Sequence, residues 1–223
     1  LQLLVIAAVS LSCSGSGSNS IVIGSKNFTE QVLLGEILAT LIESRTTLNV
    51  DRRFDLGGTF VCHKALMAGE LDLYVEYTGT ALSAILSEPS ENDPDAVYRK
   101  VAAEYPIRFD LIWLPPLGFN NTFAMVVRSE DAVKHSLSRI SDLARVADTF
   151  RAGFGYEFIE RADGYKGLAA TYGFEFAQRP REMDLGLIYR ALAEHQVDVV
   201  AGNSTDGIIE SLGLVILEDD RRY

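Results

Sequence analysis

Residues 21–41 read IVIGSKNFTEQVLLGEILATL and contain the two patterns on which the fold depends. Residues 21–24 form a short apolar run, rich in β-branched side chains and stopped by glycine, which predicts a buried strand. Apolar residues then recur at helical spacing as far as Leu41, and Asn27 followed by Glu30 predicts a capping box at the start of this helix. A strand that leads directly into a helix is the repeating unit of an α/β fold.

The same alternation continues along the chain on both sides of the segment WLPPLG at residues 113–118. Before this segment, the pattern predicts strands at residues 48–54 and 71–75 and helices at 60–68, 78–88 and just ahead of Pro106. After it, the pattern predicts strands at residues 122–128, 152–155, 174–177, 197–201 and 214–217 and helices at 139–147, 160–172 and 184–194.

These elements predict an α/β protein with two lobes built on mostly parallel sheets. We assign residues 21–118 to lobe one and residues 119–207 to lobe two. Residues 208–223 are predicted to form a crossover and a strand that returns to lobe one. Two lobes that meet at strand crossovers enclose a cleft, which is a usual place for a small ligand.

Charge excludes several classes of partner. The 223 residues carry a formal net charge of -11, with an isoelectric point near 4.7. Nucleic-acid binding requires a basic surface, and attraction to anionic lipid requires clustered Lys or Arg, so neither is expected here. Hydrophobic residues make up 48% of the chain, which allows a substantial buried core. The simplest consequence of the acidity is solubility.

The first residues have the composition of an export signal. Residues 1–12 read LQLLVIAAVSLS, an apolar stretch too short to span a bilayer, and we interpret them as a signal-peptide remnant. Residues 13–20, CSGSGSNS, have the composition of a flexible tether, and Cys13 at their start predicts a lipid anchor. The alternative is an ordinary cleaved signal with an incidental cysteine. Cys62 is the second cysteine, and a disulfide between the two is not expected.

Motifs for catalysis or metal binding are not found in the sequence. His63, His135 and His195 are scattered and have no neighbours at metal-ligand spacing, so no metal site is predicted. The sequence has no phosphate-binding glycine loop and no nucleophile elbow, and we therefore predict neither an enzyme nor a cofactor. Acidic residues near the third strand, such as Asp72 and Glu76, are predicted to be solvated.

Six further motifs carry a family resemblance, which extends from residue 21 to the end of the chain. They are GSKNFTEQ at residues 24–31, LGGT at 56–59, YVEYTGTAL at 74–82, LGFNNT at 117–122, RADGY at 161–165 and STDG at 204–207. Together they resemble the glycine betaine/carnitine/choline-binding proteins of osmoprotectant ABC transporters. The resemblance implies a type II periplasmic-binding-protein fold, in which two α/β lobes close over the ligand.

The resemblance also implies a binding site made of an aromatic box and basic residues. A quaternary ammonium group has no hydrogen-bond donor, so aromatic faces are its best desolvated partners, whereas a carboxylate is bound by Arg or Lys. The family's ligand-binding positions correspond to Lys26, Tyr77, Thr80, Asn121, Phe123, Arg161 and Asn203. In this assignment Tyr77 is a box residue, Thr80 donates to the ligand carboxylate, and Lys26 and Arg161 supply positive charge. The alternatives are a structural tyrosine, a helix-capping threonine and solvated surface cations.

This chain departs from the family pattern in three places. Phe123 stands where a box tyrosine is usual, which keeps the aromatic face and loses the hydroxyl. Asn203 stands where another tyrosine is common, so one wall of the site is expected to be polar. The family also continues beyond Tyr223, so the C-terminal part of lobe one is expected to be missing from this sequence.

The resulting prediction is an extracytoplasmic, lipid-anchored and monomeric solute-binding protein that delivers quaternary-ammonium osmoprotectants to the permease of an ABC importer. Glycine betaine, proline betaine, carnitine and choline are the expected ligands, with zwitterions preferred because two cations are expected in the site. Two alternatives stay open. One is a receptor for a different zwitterionic amine, such as a betaine with a ring, and the other is a sensor module that does not transport.

Overall fold

The computed structural model describes residues 19–223, which form two lobes, each around its own sheet. The predicted signal remnant at residues 1–12 and the predicted anchor Cys13 lie outside the described residues. In residues 19–223, no helix combines the length and the apolar character needed to cross a membrane.

The first lobe is built on a small parallel sheet. Its elements are β1 (Ser20–Gly24), α1 (Thr29–Arg45), β2 (Asn49–Arg53), α2 (Thr59–Met67), α3 (Thr78–Thr80), a π-helical turn (Ala81–Ile85) and α4 (Pro94–Phe109). Strands β1 and β2 pair in parallel, with Ser20 opposite Asn49 and Gly24 opposite Arg53. The strand predicted at residues 71–75 is reduced to a single parallel bridge between Leu73 and Ile23.

The second lobe is built on a larger mixed sheet. Its elements are β3 (Phe123–Arg128), α5 (Ser129–His135), α6 (Ile140–Leu143), a 3-10 turn (Ala147–Thr149), β4 (Ala152–Phe154), α7 (Tyr156–Glu160), α8 (Tyr165–Tyr172), β5 (Arg181–Glu182), α9 (Ile188–Ala193), β6 (Val199–Asn203), α10 (Ile208–Ser211) and β7 (Leu214–Ile216). The strand order is β5-β4-β6-β3-β7. Strand β3 runs antiparallel to both of its neighbours, β6 and β7.

Both faces of the larger sheet are buried, because alternate side chains of a strand point to opposite faces. Along β3, Met125 and Val127 belong to one apolar cluster, whereas Ala124 and Val126 belong to the cluster on the other face. The helices of the second lobe cover these two faces. A separate, smaller cluster in the first lobe packs the π-helical turn against α4.

One predicted chain path is wrong. Residues 208–223 were expected to cross back and add a strand to lobe one, but β7 pairs with β3 in the larger sheet, with Val127 opposite Val215. The last residues stay with the same lobe, since Leu217 N–H donates to Met125 O at 2.8 Å. The apolar sequence of β7 is suited to pairing in either sheet. In the structure β7 lies beside the edge of β3 and pairs there.

Three local predictions also differ from the structure. Residues 174–177 do not form a strand, because β5 occupies the edge beside β4 and Phe174 and Phe176 are packed into the core instead. Helix α4 runs through Pro106 rather than ending before it. The helix predicted at residues 160–172 is divided into α7 and α8 by the turn that contains Arg161.

Candidate functional site

A cavity of about 1200 Å³ lies between the two lobes, and residues from both lobes line it. All seven predicted ligand-binding residues are among the lining residues: Lys26, Tyr77, Thr80, Asn121, Phe123, Arg161 and Asn203. Cavities that enclose drug-sized ligands measure about 300–1,000 Å³. A small solute would therefore fill only part of this space, and the local chemistry of the walls decides where it can bind.

Lys26 lies at the base of the first lobe's wall, just after β1. Its ammonium group forms an ion pair with Glu76, and both side chains are almost completely buried, at 4% and 5% exposure. Glu76 also accepts hydrogen bonds from the Tyr74 hydroxyl at 3.1 Å and from the Tyr77 backbone N–H at 2.7 Å. The prediction that Glu76 is solvated was wrong, because a buried lysine requires a compensating charge.

Tyr77 presents an aromatic face next to this ion pair. The Lys26 Nζ atom lies 4.9 Å from the centre of the Tyr77 ring, and Phe28 stacks on the same ring with centroids 6.3 Å apart and planes inclined by 19°. Burial raises the pKa of the Tyr77 hydroxyl, so this group stays neutral and remains a hydrogen-bond donor. Tyr77 thus combines a cation-attracting face with a polar edge.

Glu30 connects the two lobes rather than capping α1. The N-cap of α1 is Phe28, which makes no side-chain capping bond, so the predicted capping box of Asn27 and Glu30 was wrong. The Glu30 carboxylate instead accepts hydrogen bonds from the Tyr77 hydroxyl and from Asn121 Nδ2, the latter at 2.9 Å. Asn121 lies two residues before the second lobe's β3, and its Oδ1 accepts from Ser204 Oγ at 3.3 Å.

Arg161 forms the basic part of the second lobe's wall, in the turn between α7 and α8. Asp163 accepts from its Nε at 2.8 Å and from its Nη2 at 2.6 Å, a two-point contact. Burial is the largest single effect and opposes the ionisation of both groups, but their hydrogen bonds and charge attraction together outweigh it, so the pKa of Arg161 is raised and that of Asp163 is lowered. The guanidinium carbon lies 5.2 Å from the centre of the Phe123 ring, as in a cation–π contact.

Thr80 and Ser83 of the first lobe contact the ion pair of Arg161 and Asp163 in the second lobe. Thr80 Oγ1 lies 3.4 Å from both Nη1 and Nη2 of Arg161, and the Ser83 hydroxyl donates to Asp163. Ser83 belongs to the π-helical turn that follows α3. Such turns occur frequently at functional sites, because the wider coil redirects side chains. Thr80 was predicted to face a ligand carboxylate, and it lies beside the group that would bind one.

Asn203 lies beside Phe123 on the second lobe. The two residues are directly opposite each other in the antiparallel pair of β6 and β3, so their side chains share one face of the sheet. Phe123 is 40% exposed, and the Phe158 ring packs edge-on against it with centroids 4.8 Å apart. The Asn203 amide donates from Nδ2 to Asp206 Oδ2 at 3.2 Å.

A second close approach between the lobes depends on a glycine. Gly58 precedes α2, and a Cβ atom at this position would overlap the Glu157 carboxylate of the second lobe. Glu157 Oε1 also accepts from the Phe60 N–H at 3.4 Å. The glycine therefore allows α2 to approach α7 at the rim of the cavity.

None of the acidic partners Glu30, Glu76 and Asp163 was assigned to the site from the sequence. Each lies inside one of the quoted motifs, but nothing in a motif shows which charges will meet. One feature of the sequence did indicate such a partner. A buried lysine just after β1 needs a compensating anion, and Glu76 follows the segment around Leu73 that pairs with β1.

Two α/β lobes with a polar and aromatic cavity between them define a solute-binding protein, and the fold matches the type II periplasmic binding proteins. Residues 19–223 match the family described as the substrate-binding domain of ABC-type glycine betaine transport systems. The chain belongs to this family, which is a family of transport proteins. A solved structure of a glycine betaine/carnitine/choline ABC transporter is similar, with a TM-score of 0.67, 32% identity, and coverage of 91% of this chain and 75% of that one.

Two curated relatives show equal identity to this chain and different solutes in their names. The chain is 37% identical over 204 residues to the ergothioneine transport permease/ergothioneine binding protein EgtU of Helicobacter pylori, and this match covers 91% of the chain. It is also 37% identical over 211 residues to the carnitine transport binding protein OpuCC of Listeria monocytogenes, and this match covers 94% of the chain. The chain spans 36% of the length of the former protein and 68% of the latter.

Proposed function

We propose that the cavity captures a small zwitterionic quaternary amine and that the protein delivers it to the permease of an ABC importer. The observation that carries this proposal is the pairing of aromatic faces with cations on opposite walls of one cavity, Tyr77 with Lys26 and Phe123 with Arg161. An aromatic face attracts a quaternary ammonium head, and a guanidinium or ammonium attracts a carboxylate. Both halves of a betaine thus have a partner.

The two cations are not equivalent in this proposal. Lys26 is neutralised by Glu76 at very short range and is buried with it, so we assign Lys26 to positioning the Tyr77 ring. Arg161 uses Nε and Nη2 for Asp163, while its Nη1 makes only a 3.4 Å contact with Thr80 and a 3.9 Å contact with Glu157. The ligand carboxylate is therefore expected to bind at Nη1 of Arg161, next to the Thr80 hydroxyl.

A betaine that carries a ring is the second candidate ligand. The relative from Helicobacter pylori is named for ergothioneine, a betaine with a heterocyclic ring, and it is as similar to this chain as the relative named for carnitine. The cavity is also large enough for a ring beside the ammonium and carboxylate groups. Both candidates share the same head and tail, so they require the same roles of Tyr77, Phe123 and Arg161.

The cellular setting follows from the proposed transport role. We propose that the protein acts outside the cytoplasmic membrane as a monomer and is anchored there by a lipid on Cys13. The apolar stretch at residues 1–12 and the Gly/Ser tether after Cys13 support this proposal. Mass spectrometry of the protein purified from membranes tests it: a diacylated Cys13 supports the anchor, and an unmodified cysteine or cleavage elsewhere contradicts it.

Calorimetric titration and thermal unfolding test the ligand class directly. The panel consists of glycine betaine, proline betaine, carnitine, ergothioneine and choline, with glycine as the matched control that lacks the methyl groups. A ligand that binds only the native state at about 100 times its Kd stabilises it by about 2.7 kcal/mol. We expect such stabilisation by at least one zwitterionic quaternary amine and none by glycine. If no quaternary amine binds, or if glycine binds as well, the proposed function is wrong.

A further inference from the structure

We infer that Asn203 is a hydrogen-bond acceptor for the ligand and that the site therefore selects quaternary amines that also carry an N–H or O–H donor. This inference rests on the proposed function and specifies its ligand class. It concerns the second lobe's wall, where Asn203 and Phe123 lie side by side across the β6–β3 pair and both line the cavity.

The direction of the Asn203 amide is fixed by the chemistry of its partner. Asp206 Oδ2 lies 3.2 Å from the side-chain amide of Asn203. A carboxylate accepts hydrogen bonds and does not donate them, so the group that faces Asp206 must be the NH₂. The carbonyl Oδ1 is consequently directed away from Asp206. Among the hydrogen bonds of residues 19–223, none is donated to this oxygen.

The position of Asp206 is in turn fixed by Tyr189. It accepts a hydrogen bond from the Tyr189 hydroxyl at 2.5 Å, and the Asn203 backbone N–H donates to the same hydroxyl at 3.1 Å. Tyr189 is buried, and burial, together with its bond to Asp206, raises the pKa of its hydroxyl, so it remains a neutral donor. Gly202 permits this arrangement, because a Cβ atom there would overlap the Tyr189 hydroxyl.

The neighbouring polar groups on the cavity wall are engaged with each other. Asn121 donates to Glu30 and accepts from Ser204, and Arg161 can only donate. The Asn203 oxygen is thus an oriented acceptor next to an aromatic face. A trimethylammonium head has no donor for it, so the donor must come from another part of the ligand, such as a hydroxyl group or a ring N–H.

Binding of a ligand without such a donor would leave the Asn203 oxygen desolvated and unpaired. An unpaired buried acceptor lowers affinity by a factor of roughly 5 to 100. A ligand with a donor supplies a hydrogen bond to this oxygen and avoids that loss. The predicted selectivity is therefore a difference in affinity between two ligands of the same shape, one with a donor and one without. It should disappear when Asn203 is replaced by a residue that has no side-chain acceptor.

Two ligand pairs test this inference by calorimetric titration of the full chain; the first is closely matched in shape, and the second shares only the presence of a ring. Carnitine and γ-butyrobetaine differ only in one hydroxyl, and ergothioneine and proline betaine are ring betaines with and without a ring N–H. We expect the wild-type protein to prefer the donor-bearing member of at least one pair by roughly 5- to 100-fold. Asn203→Leu should abolish this preference while changing the affinity for the donor-free member by less than about threefold.

The controls separate the inference from the proposed function. Asn49→Leu, at an exposed asparagine on β2, should leave the preference intact, and Asn203→Ala replaces Asn203→Leu if the larger side chain prevents folding. Equal affinity within both pairs, or a preference that persists in both Asn203 variants, overturns the inference and leaves the proposed function standing. If none of the four ligands binds to the wild-type protein, the proposed function and the inference both fail.

Discussion

The aromatic ring and the hydroxyl group of Tyr77 have separate partners, so their contributions to binding can be separated. Tyr77→Ala removes the face that we propose for the ammonium head, and affinity for glycine betaine should fall by about 0.5–2 kcal/mol. Tyr77→Phe keeps the face and loses only the hydrogen bonds of the hydroxyl, which donates to Glu30 and accepts from Asn121, so its effect should be smaller. Calorimetric titration of both variants measures the difference. Unchanged affinity in a folded Tyr77→Ala variant would show that Tyr77 is structural.

Arg161 should distinguish ligands with a carboxylate from those without one. Arg161→Gln removes the proposed carboxylate partner, and affinity for glycine betaine should fall by about 1.5–3 kcal/mol, the usual range for a hydrogen bond to a charged group. Choline has no carboxylate, and the freed Asp163 would attract its positive charge, so its affinity should stay constant or rise. Titration of both ligands gives the comparison.

The matched control for this experiment is Arg145→Gln, at an exposed arginine paired with Asp142 in the same lobe. It should change neither affinity. Parallel losses for glycine betaine and choline in Arg161→Gln would mean that the arginine supports the shape of the cavity instead of binding the carboxylate.

At the scale of single residues, the sequence predicted residues that line the cavity better than it predicted the contacts that these residues make. All seven predicted positions line one cavity, although Thr80 belongs to α3 and Arg161 to the turn between α7 and α8. The ion pair of Lys26 with Glu76 joins residues that are distant in the sequence, and no local pattern shows such a pair. The link from Glu30 to Asn121 depends in the same way on how the lobes meet.

Helices α2 and α4 pack around a histidine whose titration should affect stability. His63 on α2 lies edge-on to Tyr105 and Phe109 of α4, with ring centroids 5.8 Å and 4.9 Å apart. Burial lowers the pKa of His63, against the weaker opposing effect of Glu76. Below a pH of about 6.5 the unfolded chain therefore binds a proton that the folded chain does not, and stability falls as the pH decreases.

This effect predicts a difference in slope between two variants. From pH 7 to pH 5, the wild-type free energy of unfolding should contain a contribution from His63 of up to about 1.4 kcal/mol per pH unit. His63→Phe should lose that contribution, and His195→Gln, at an exposed histidine, should keep it. Chemical denaturation at several pH values measures the slopes. Equal slopes in wild type and His63→Phe would show that His63 is not the titrating group.

At the scale of elements, the pattern predicted most strands to within a few residues, including the edge strand β7, but it failed at the edge beside β4. Strands β3 and β6 lie inside the larger sheet; β3 matches the predicted range 122–128 to within one residue, and β6 is shifted by two residues from the predicted range 197–201. The aromatic alternation of Phe174 and Phe176 looks the same in sequence as a strand, but these rings fill the core beside Tyr165. Only one segment can pair with the outer edge of β4, and in the structure that segment is β5.

For the whole molecule, the predicted two-lobed α/β fold is confirmed, but the course of its last segment is not. The order β5-β4-β6-β3-β7 places β7 against β3, so this strand belongs to the second lobe's sheet and not to lobe one. The lobes contact each other mainly through polar side chains, including Ser83 with Asp163 and Glu30 with Asn121. Polar contacts of this kind do not change the hydrophobic periodicity of a sequence. The sequence could therefore predict the cleft but not the contacts across it.

The pairing of Lys26 and Arg161 with protein carboxylates has a consequence for the effect of ionic strength on binding. Lys26 with Glu76 and Arg161 with Asp163 are compact pairs in which both cations are only 4% exposed, so added salt has little access to them. The Debye length shrinks from about 8 Å at 0.15 M to about 3 Å at 1 M, which mainly weakens the long-range attraction between a net charge of -11 and a free cation. A zwitterion has no net charge and loses almost none of its affinity.

Titrations in 0.1 M and 1 M NaCl should therefore give nearly constant affinity for glycine betaine and a declining affinity for choline. A strong loss of glycine betaine binding in 1 M NaCl would mean that the cavity charges are exposed to the solvent ions. If the affinity is constant, the preference for the zwitterion over the simple cation increases as the medium becomes more saline. The protein would then discriminate best under the hyperosmotic conditions in which uptake of an uncharged solute is most useful to a cell.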